Sequence, residues 1–331
     1  MGEIITYDQI SRGRDHVTEI VRQGGLDPER IRDGVILGSG LGEFVPAEME
    51  EGSIRIPFDQ VLRVMEMPDT RGSVVGHAKE LVIGPLRGTS EDRLVIAQAG
   101  REHPYEGVSE QRATAWLRIM QLLGVQSLIG SNASGIVTPD TLKVPSLMLV
   151  NGDKDFTGGV EGPLVGPNDD RFGPRFPHMS DQYPARTRKT VRVAAAELGV
   201  DLKEGIYGRV KGPRYEPRTL VYEFRKILAD IYKNGRIQPG DDNFEEQPVG
   251  VFGMSSTYEA EVAQHASQSA FHPAFRDRAW ISVATNYSAS LGSDGIVAPS
   301  NHSEVKENAA TIQDIFQRLV RKSLLEMRED S

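Results

Sequence analysis

Apolar residues recur at helical spacing near the start of the chain, where Ile10, Val17, Ile20 and Val21 share one face of residues 8–24 and the stretch stops at Gly24-Gly25. This predicts an amphipathic opening helix. The run Asp33-Gly34-Val35-Ile36-Leu37 then reads as a short buried strand entering a glycine-rich turn, Gly38-Ser39-Gly40-Leu41-Gly42. Residues 81–84 and 94–97 predict two more strands, and the second opens into a polar loop carrying Arg101, His103, Tyr105 and Glu106 between Gly100 and Gly107. Ser109 follows as the cap of a helix with Trp116, Ile119, Met120 and Leu123 on one face and Gly124 as its stop. A strand over 125–129 breaks into a small-residue turn, Ser131-Asn132-Ala133-Ser134-Gly135.

The second half alternates in the same way. Residues 151–184, rich in Gly, Pro and Asp, predict a long irregular excursion of the kind that covers a site. A helix over 185–199 leads to a strand over 205–210 that ends in Lys211-Gly212-Pro213-Arg214-Tyr215-Glu216-Pro217. A helix over 219–231 runs into a polar, acidic segment near 233–247, read as a mobile insertion. Residues 249–254 resume as a strand, and Ser256 with Glu259 predicts a capping box opening a helix to Ala270. A strand over 279–285 meets Asn286 and Tyr287. Asn301 and Glu304 then cap a last helix whose buried stripe is Ile312, Ile315, Phe316, Leu319 and Val320. Strands alternating with helices predict an α/β chain, and the absence of repeats or a clean linker predicts one domain over 1–331.

Composition narrows the functions open to such a chain. With 38 basic against 47 acidic side chains, a net charge of −9 gives no general attraction to nucleic acid or anionic lipid, so an anion site must be local. The lack of cysteine excludes disulfides, thiolate catalysis and Cys-ligated zinc, and fits a reducing compartment. No apolar run reaches membrane-span length and the first residues lack a signal pattern, so a soluble, cytoplasmic protein is expected, with no membrane partner. Met1-Gly2 with Thr6 matches the short myristoylation pattern without a polybasic stretch or second lipid signal beside it.

Candidate chemistry gathers at the strand ends. Arg101 and His103, two apart on an extended segment, either grip a phosphate-sized anion from two directions or decorate a solvated loop. The turn around Ser39 either brings backbone N–H groups to a ligand or is a purely structural turn. It lacks the third glycine spacing of a dinucleotide fingerprint and the Gly-Lys-Ser/Thr of a P-loop. A nicotinamide-dependent dehydrogenase is therefore disfavoured. Tyr215 with Glu216 is a pair that could stack on a planar ring and accept its N–H protons, or a surface tyrosine beside a solvated carboxylate. Ser255 lies beside a helix N-terminus, where anions are favoured, although Glu259 in that first turn would oppose one unless it points away.

Taken in order, the segments GVILGSGLG, GHAKELVIG, GREHPYEG, SNASG, GPNDDRFGPRF, KGPRYE, FGMSS, ATN and NHSEV resemble those of the trimeric purine nucleoside phosphorylases and their methylthioadenosine and xanthosine relatives. The resemblance extends from about Gly34 to the last helix. It implies a single α/β domain with a mixed central β-sheet, partly barrel-like, flanked by helices. It implies phosphorolysis of 6-oxopurine nucleosides, inosine and guanosine, to the free base and ribose 1-phosphate, a purine-salvage pentosyltransferase reaction. Phosphate is then a co-substrate, no metal or other cofactor is needed, and the assembly is a homotrimer. By position, Ser39, His77, Arg101, His103, the Ala133 backbone and Ser255 would bind phosphate; Tyr105, Met254 and His302 the ribose; and Tyr215, Glu216, Thr285 and Asn286 the purine. His103, Glu216 and Asn286 are implied to be catalytic. The alternatives are a methylthioadenosine or xanthosine phosphorylase, or a nucleoside-binding homologue without turnover.

Some positions depart from the family pattern. Tyr215 stands where Phe is common, Ser134 and Ile136 replace Ala and Gly, Tyr287 follows Asn286 where Lys is often found, and Pro217 follows Glu216. Phe156 is the candidate for the aromatic that a neighbouring subunit lends to the ribose in such enzymes.

Overall fold

A computed structural model describes residues 4–68, 78–90, 92–158, 162–234, 247–288 and 302–329, without the side chains of 302–304 and 329. In chain order the elements are α1 (Tyr7–Gln23), β1 (Ile31–Leu37), α2 (Phe44–Glu48), β2 (Ile54–Pro57), α3 (Phe58–Val64), β3 (Glu80–Gly84), β4 (Leu94–Ala99), α4 (Glu110–Ala113), α5 (Ala115–Leu123) and β5 (Ser127–Ile136). They continue with β6 (Ser146–Asp155), α6 (Ala185–Glu197), β7 (Lys203–Arg209), α7 (Arg218–Lys233), β8 (Gly250–Gly253), α8 (Thr257–Ser267), β9 (Asp277–Tyr287) and α9 (His302–Glu329). None of the described helices is long and apolar enough to cross a membrane.

The strands form one mixed sheet in the order β2-β3-β4-β1-β5-β8-β7-β6-β9, and β9 returns to pair with β5. Strands β5, β8, β7, β6 and β9 therefore close into a small barrel, while β1 to β4 extend from it as an open sheet. Closure removes the unpaired edges that an open sheet would leave. The fork is on β5: Ser127 to Gly130 face β1, Gly135 and Ile136 face β8, and β9 runs alongside throughout. Because β1, β4, β5 and β9 are parallel, their C-terminal ends emerge together. Strand-end loops of an α/β sheet meet ligands at such an edge.

Helices cover the sheet on both sides. α1, α3, α5 and α8 enclose one apolar cluster that includes Val17, Trp116, Ile119 and Trp280, and α2, α6 and α9 enclose a second around Phe44, Val191, Phe316 and Leu319. Strands β4 and β9 are buried on both faces, which is why they read as apolar runs without alternation. Trp116 stacks on Phe58 at 3.9 Å between ring centres.

Several local expectations need correction. The segment Ser131 to Gly135 is not a turn but the second half of β5. Close packing limits side-chain size on this strand: a Cβ at Gly135 would lie 2.9 Å from Ser288 Oγ, and one at Gly130, just before the segment, 2.2 Å from Trp280 Nε1. The irregular stretch begins after Asp155, because β6 continues through Asn151 to pair with β7. The helix after Ser109 is broken at Thr114 into α4 and α5, and Ser109 caps the first piece while Gly124, at φ 84°, ends the second. Ile315 is 41% exposed rather than part of the buried stripe. Asn301, the side chain of Glu304 and hence the cap expected of them, and residues 235–246 of the insertion lie outside the described residues.

Candidate active site

One cleft, enclosing about 790 Å³ including its open mouth, lies where the strand ends converge. Ser39 reaches it from the loop after β1, Arg101, His103 and Tyr105 from the loop after β4, and Asn132 to Gly135 from β5. Tyr215 and Glu216 follow β7, Met254 and Ser255 follow β8, Thr285 and Asn286 close β9, and Val305 belongs to α9. Except for His77, outside the described residues, and His302, whose side chain is, every residue singled out for the site lines this cleft.

Arg101 is 2% exposed, and its Nε and Nη2 donate to the two carboxylate oxygens of Glu259 at 2.6 and 3.0 Å. Nη2 also donates to the Ser131 carbonyl. Burial works against the guanidinium's charge, but Glu259's charge and hydrogen bonds outweigh it and hold Arg101 above its ordinary pKa. Nη1 is turned toward the glycine-rich turn, so that a Cβ at Gly38 would meet it at 3.2 Å. The capping box expected of Ser256 and Glu259 is therefore absent: Glu259 is spent on Arg101, and Ser256 Oγ accepts instead from Asn132 Nδ2 at 2.9 Å.

His103 is oriented by the short 3₁₀ turn that follows it. Glu106 accepts from the His103 backbone N–H at 2.9 Å, lies 3.2 Å from His103 Nδ1 and receives Lys79 Nζ at 3.1 Å. Burial would raise the Glu106 pKa, yet the bonds from His103 and Lys79 bring it below the usual carboxylate range. An ionised carboxylate only accepts, so His103 Nδ1 is the donor in this contact. Tyr105 stacks on the imidazole at 4.7 Å, and its phenol is pushed up to about 12 by burial and then by the Glu106 charge.

Behind the cleft a polar chain crosses from one strand to the next. Ser282 Oγ lies 2.7 Å from both Asn132 Oδ1 and Ser134 Oγ. Thr285 Oγ1 lies 3.3 Å from the Ser134 carbonyl and 3.2 Å from Asn286 Oδ1, while Asn286 Nδ2 donates to the Tyr287 carbonyl at 3.2 Å. Asn308 on α9 donates to the Thr285 carbonyl at 2.7 Å. Glu216 is buried, and Tyr215 is 39% exposed at the rim. Tyr207 accepts the Ser255 backbone N–H at 3.2 Å, and burial raises its phenol to about 12.

Comparison with known proteins decides the lineage. The phosphorylase superfamily model matches residues 34–324. The chain is 34% identical over 304 residues to purine nucleoside phosphorylase 1 of Geobacillus stearothermophilus, covering 92% of this chain and 94% of that protein. It is 38% identical to the mouse purine nucleoside phosphorylase over 246 residues, 73% of this chain and 74% of that one.

The chain belongs to the purine nucleoside phosphorylase family.

The fold agrees with known purine nucleoside phosphorylases throughout. The Schistosoma mansoni purine nucleoside phosphorylase solved with adenosine superposes with a TM-score of 0.76 at 26% identity, covering 97% of this chain and 98% of that one. The same organism's enzyme solved with inosine gives 0.73 at 27% identity, covering 97% of each. The support behind the site carries little signal in the sequence. The position of Glu259 predicts a capping-box partner and a charge hostile to anions, and nothing in its spacing from Arg101 marks the pair. Glu106, three residues after His103, did carry a local signal, since that spacing lets its carboxylate return to the imidazole and to the preceding N–H. Phe156, considered as a loan to a neighbour, packs against Phe224 and Phe252 of its own chain at 5.3 and 5.5 Å.

Proposed function

We propose that this chain cleaves the N-glycosidic bond of 6-oxopurine ribonucleosides and deoxyribonucleosides with inorganic phosphate, releasing the base and a pentose 1-phosphate. Phosphate sits against Ser39, Arg101, His103, the Ala133 backbone N–H and Ser255, with His77 near it. Tyr105, Met254 and His302 contact the ribose, His302 at its 5′-hydroxyl. Tyr215, Glu216, Thr285 and Asn286 hold the purine. The observation that carries this reading is that Arg101 and Asn286, 185 positions apart (286 − 101), line the same cleft.

Breaking the C1′–N9 bond builds positive charge on the sugar and negative charge on the base. Phosphate beside C1′ serves as nucleophile and as counter-charge. At the far end, Asn286 donates to N7 or O6 as electrons enter the ring, and Glu216 accepts from N1–H, so the base is oriented and its charge is met by groups already in place. An amide can turn to serve a 6-oxo group, which is why inosine and guanosine are the substrates proposed over adenosine and methylthioadenosine. The working unit is a homotrimer, a reading that rests on the family resemblance, and a cytoplasmic location fits a chain without cysteine.

The test is a panel of inosine, guanosine, adenosine, xanthosine and methylthioadenosine, each with and without phosphate. Phosphate-dependent release of hypoxanthine and guanine, with slower release from the others, is expected. Turnover of the 6-amino compounds ahead of inosine overturns the base preference, and binding without phosphate-dependent release leaves the non-catalytic alternative standing in its place.

A further inference from the structure

We propose that Glu259 is a positioning residue for phosphate: it holds the Arg101 guanidinium in the orientation that receives the anion and supplies its counter-charge while the site is empty. The inference rests on the phosphorolytic reading of the cleft and assigns a role to a residue that reading leaves out. Both partners are 2% exposed in their side chains, and Nε and Nη2 meet the two carboxylate oxygens at 2.6 and 3.0 Å. Such side-on pairing fixes the guanidinium plane as well as its place. With Nη2 also donating to the Ser131 carbonyl, one edge is committed to the protein and the Nη1 edge is turned toward the Gly38-Ser39 turn.

A second observation concerns the helix that carries Glu259. Its N-cap, Ser256, sits at φ 46°, where residues with a Cβ are rarely found, and its hydroxyl is held by Asn132 rather than by the helix. Strain of this kind persists only where neighbours over-determine it. Here Asn132 on β5 and Arg101 after β4 both grip the first turn of α8, which sets Ser255, Ala133 and Arg101 relative to one another. A buried guanidinium without a carboxylate would be costly, so the pair allows the subsite to exist before phosphate arrives.

The experiment is steady-state kinetics of Glu259→Gln and Glu259→Asp, varying phosphate at saturating inosine and inosine at saturating phosphate. The phosphate KM should rise about tenfold or more in Gln and by a smaller factor in Asp, as expected for a misplaced binding group. The inosine KM should stay within about twofold of wild type. A phosphate KM unchanged or lowered in both variants overturns the proposal, as does a parallel rise of both constants, which marks a merely structural role. Should Glu259→Gln fail to fold, Glu259→Asp decides, read also by the phosphate-induced rise in Tm, which should be smaller than in wild type. The wild-type assay separates the two readings: no phosphate-dependent release there overturns phosphorolysis, while the thermal shift still reports on Glu259.

Discussion

At the end of the cleft that holds Arg101 and His103, the basic groups are already engaged by carboxylates of the same chain, Glu259 for the first and Glu106 for the second. At the end that holds Thr285 and Asn286, the hydrogen bonds of these two side chains run to neutral groups, and Tyr215 stands at the rim. The first end is built from a buried ion pair that spans 158 positions of sequence and a histidine–carboxylate hydrogen bond that spans 3. The second is built from the end of one strand and a loop. Disturbing the ion-paired end should therefore cost folding stability and phosphate binding together, whereas disturbing the neutral end should alter base recognition with little change in stability.

The sharpest way to break this contrast is Arg101→Met. It removes an aimed donor, worth about 10²–10³ in rate, and leaves Glu259 buried without its partner, at about 3–5 kcal/mol of stability. Urea unfolding beside kcat/KM reads both. Unchanged stability would show that the pair matters less than its burial implies. Asn286→Ala should match the first effect, about 10²–10³ in kcat on inosine, without the second, losing only about 1 kcal/mol for its hydrogen bonds. Asn286→Asp should move preference toward 6-amino substrates, and no relative gain for adenosine over inosine would remove Asn286 from the selectivity argument.

Two glycines sharpen the contrast further. A Cβ at Gly38 would lie 2.7 Å from Asn132 Cα and 3.2 Å from Arg101 Nη1, and one at Gly135 would lie 3.1 Å from Asn286 Nδ2. Each alanine replacement should cost about 1–3 kcal/mol by overpacking, but Gly38→Ala should raise the phosphate KM and Gly135→Ala the nucleoside KM. The same shift in both would mean that the ends are not independent.

The smallest expected effect compares two carboxylates on one helix. Glu259 is paired, whereas Glu261, two residues on, is pushed up to about 7 by burial and then by the charges of Glu110 and Asp153. A carboxyl raised in the folded state favours its protonated form, so its penalty develops as pH rises from the ordinary carboxylate range to about 7 and is complete above that. Glu261→Gln should accordingly raise Tm at pH 8 and change it little at pH 5. A gain that is equal at both values would point to packing rather than charge.

These contrasts also mark how far the sequence could be read. Element types were legible wherever an apolar period ran long, as in α1 and α9, or a run was buried on both faces, as in β4 and β9. The residues facing the cleft were legible because they sit in short, chemically distinctive segments at strand ends. Their supports were not. Glu259 pairs with a residue 158 positions away, and only the strand order β4-β1-β5-β8 brings the two together. The small residues of Ser131 to Gly135 signal a turn locally, while here they continue a strand in which Asn286 and Ser288 crowd Gly135.

Phosphorus NMR of the wild-type protein with inosine and inorganic phosphate tests the central claim most directly. The account predicts a new ribose 1-phosphate resonance that grows in step with hypoxanthine as the phosphate signal declines. Hypoxanthine released with free ribose and an undiminished phosphate signal would contradict it.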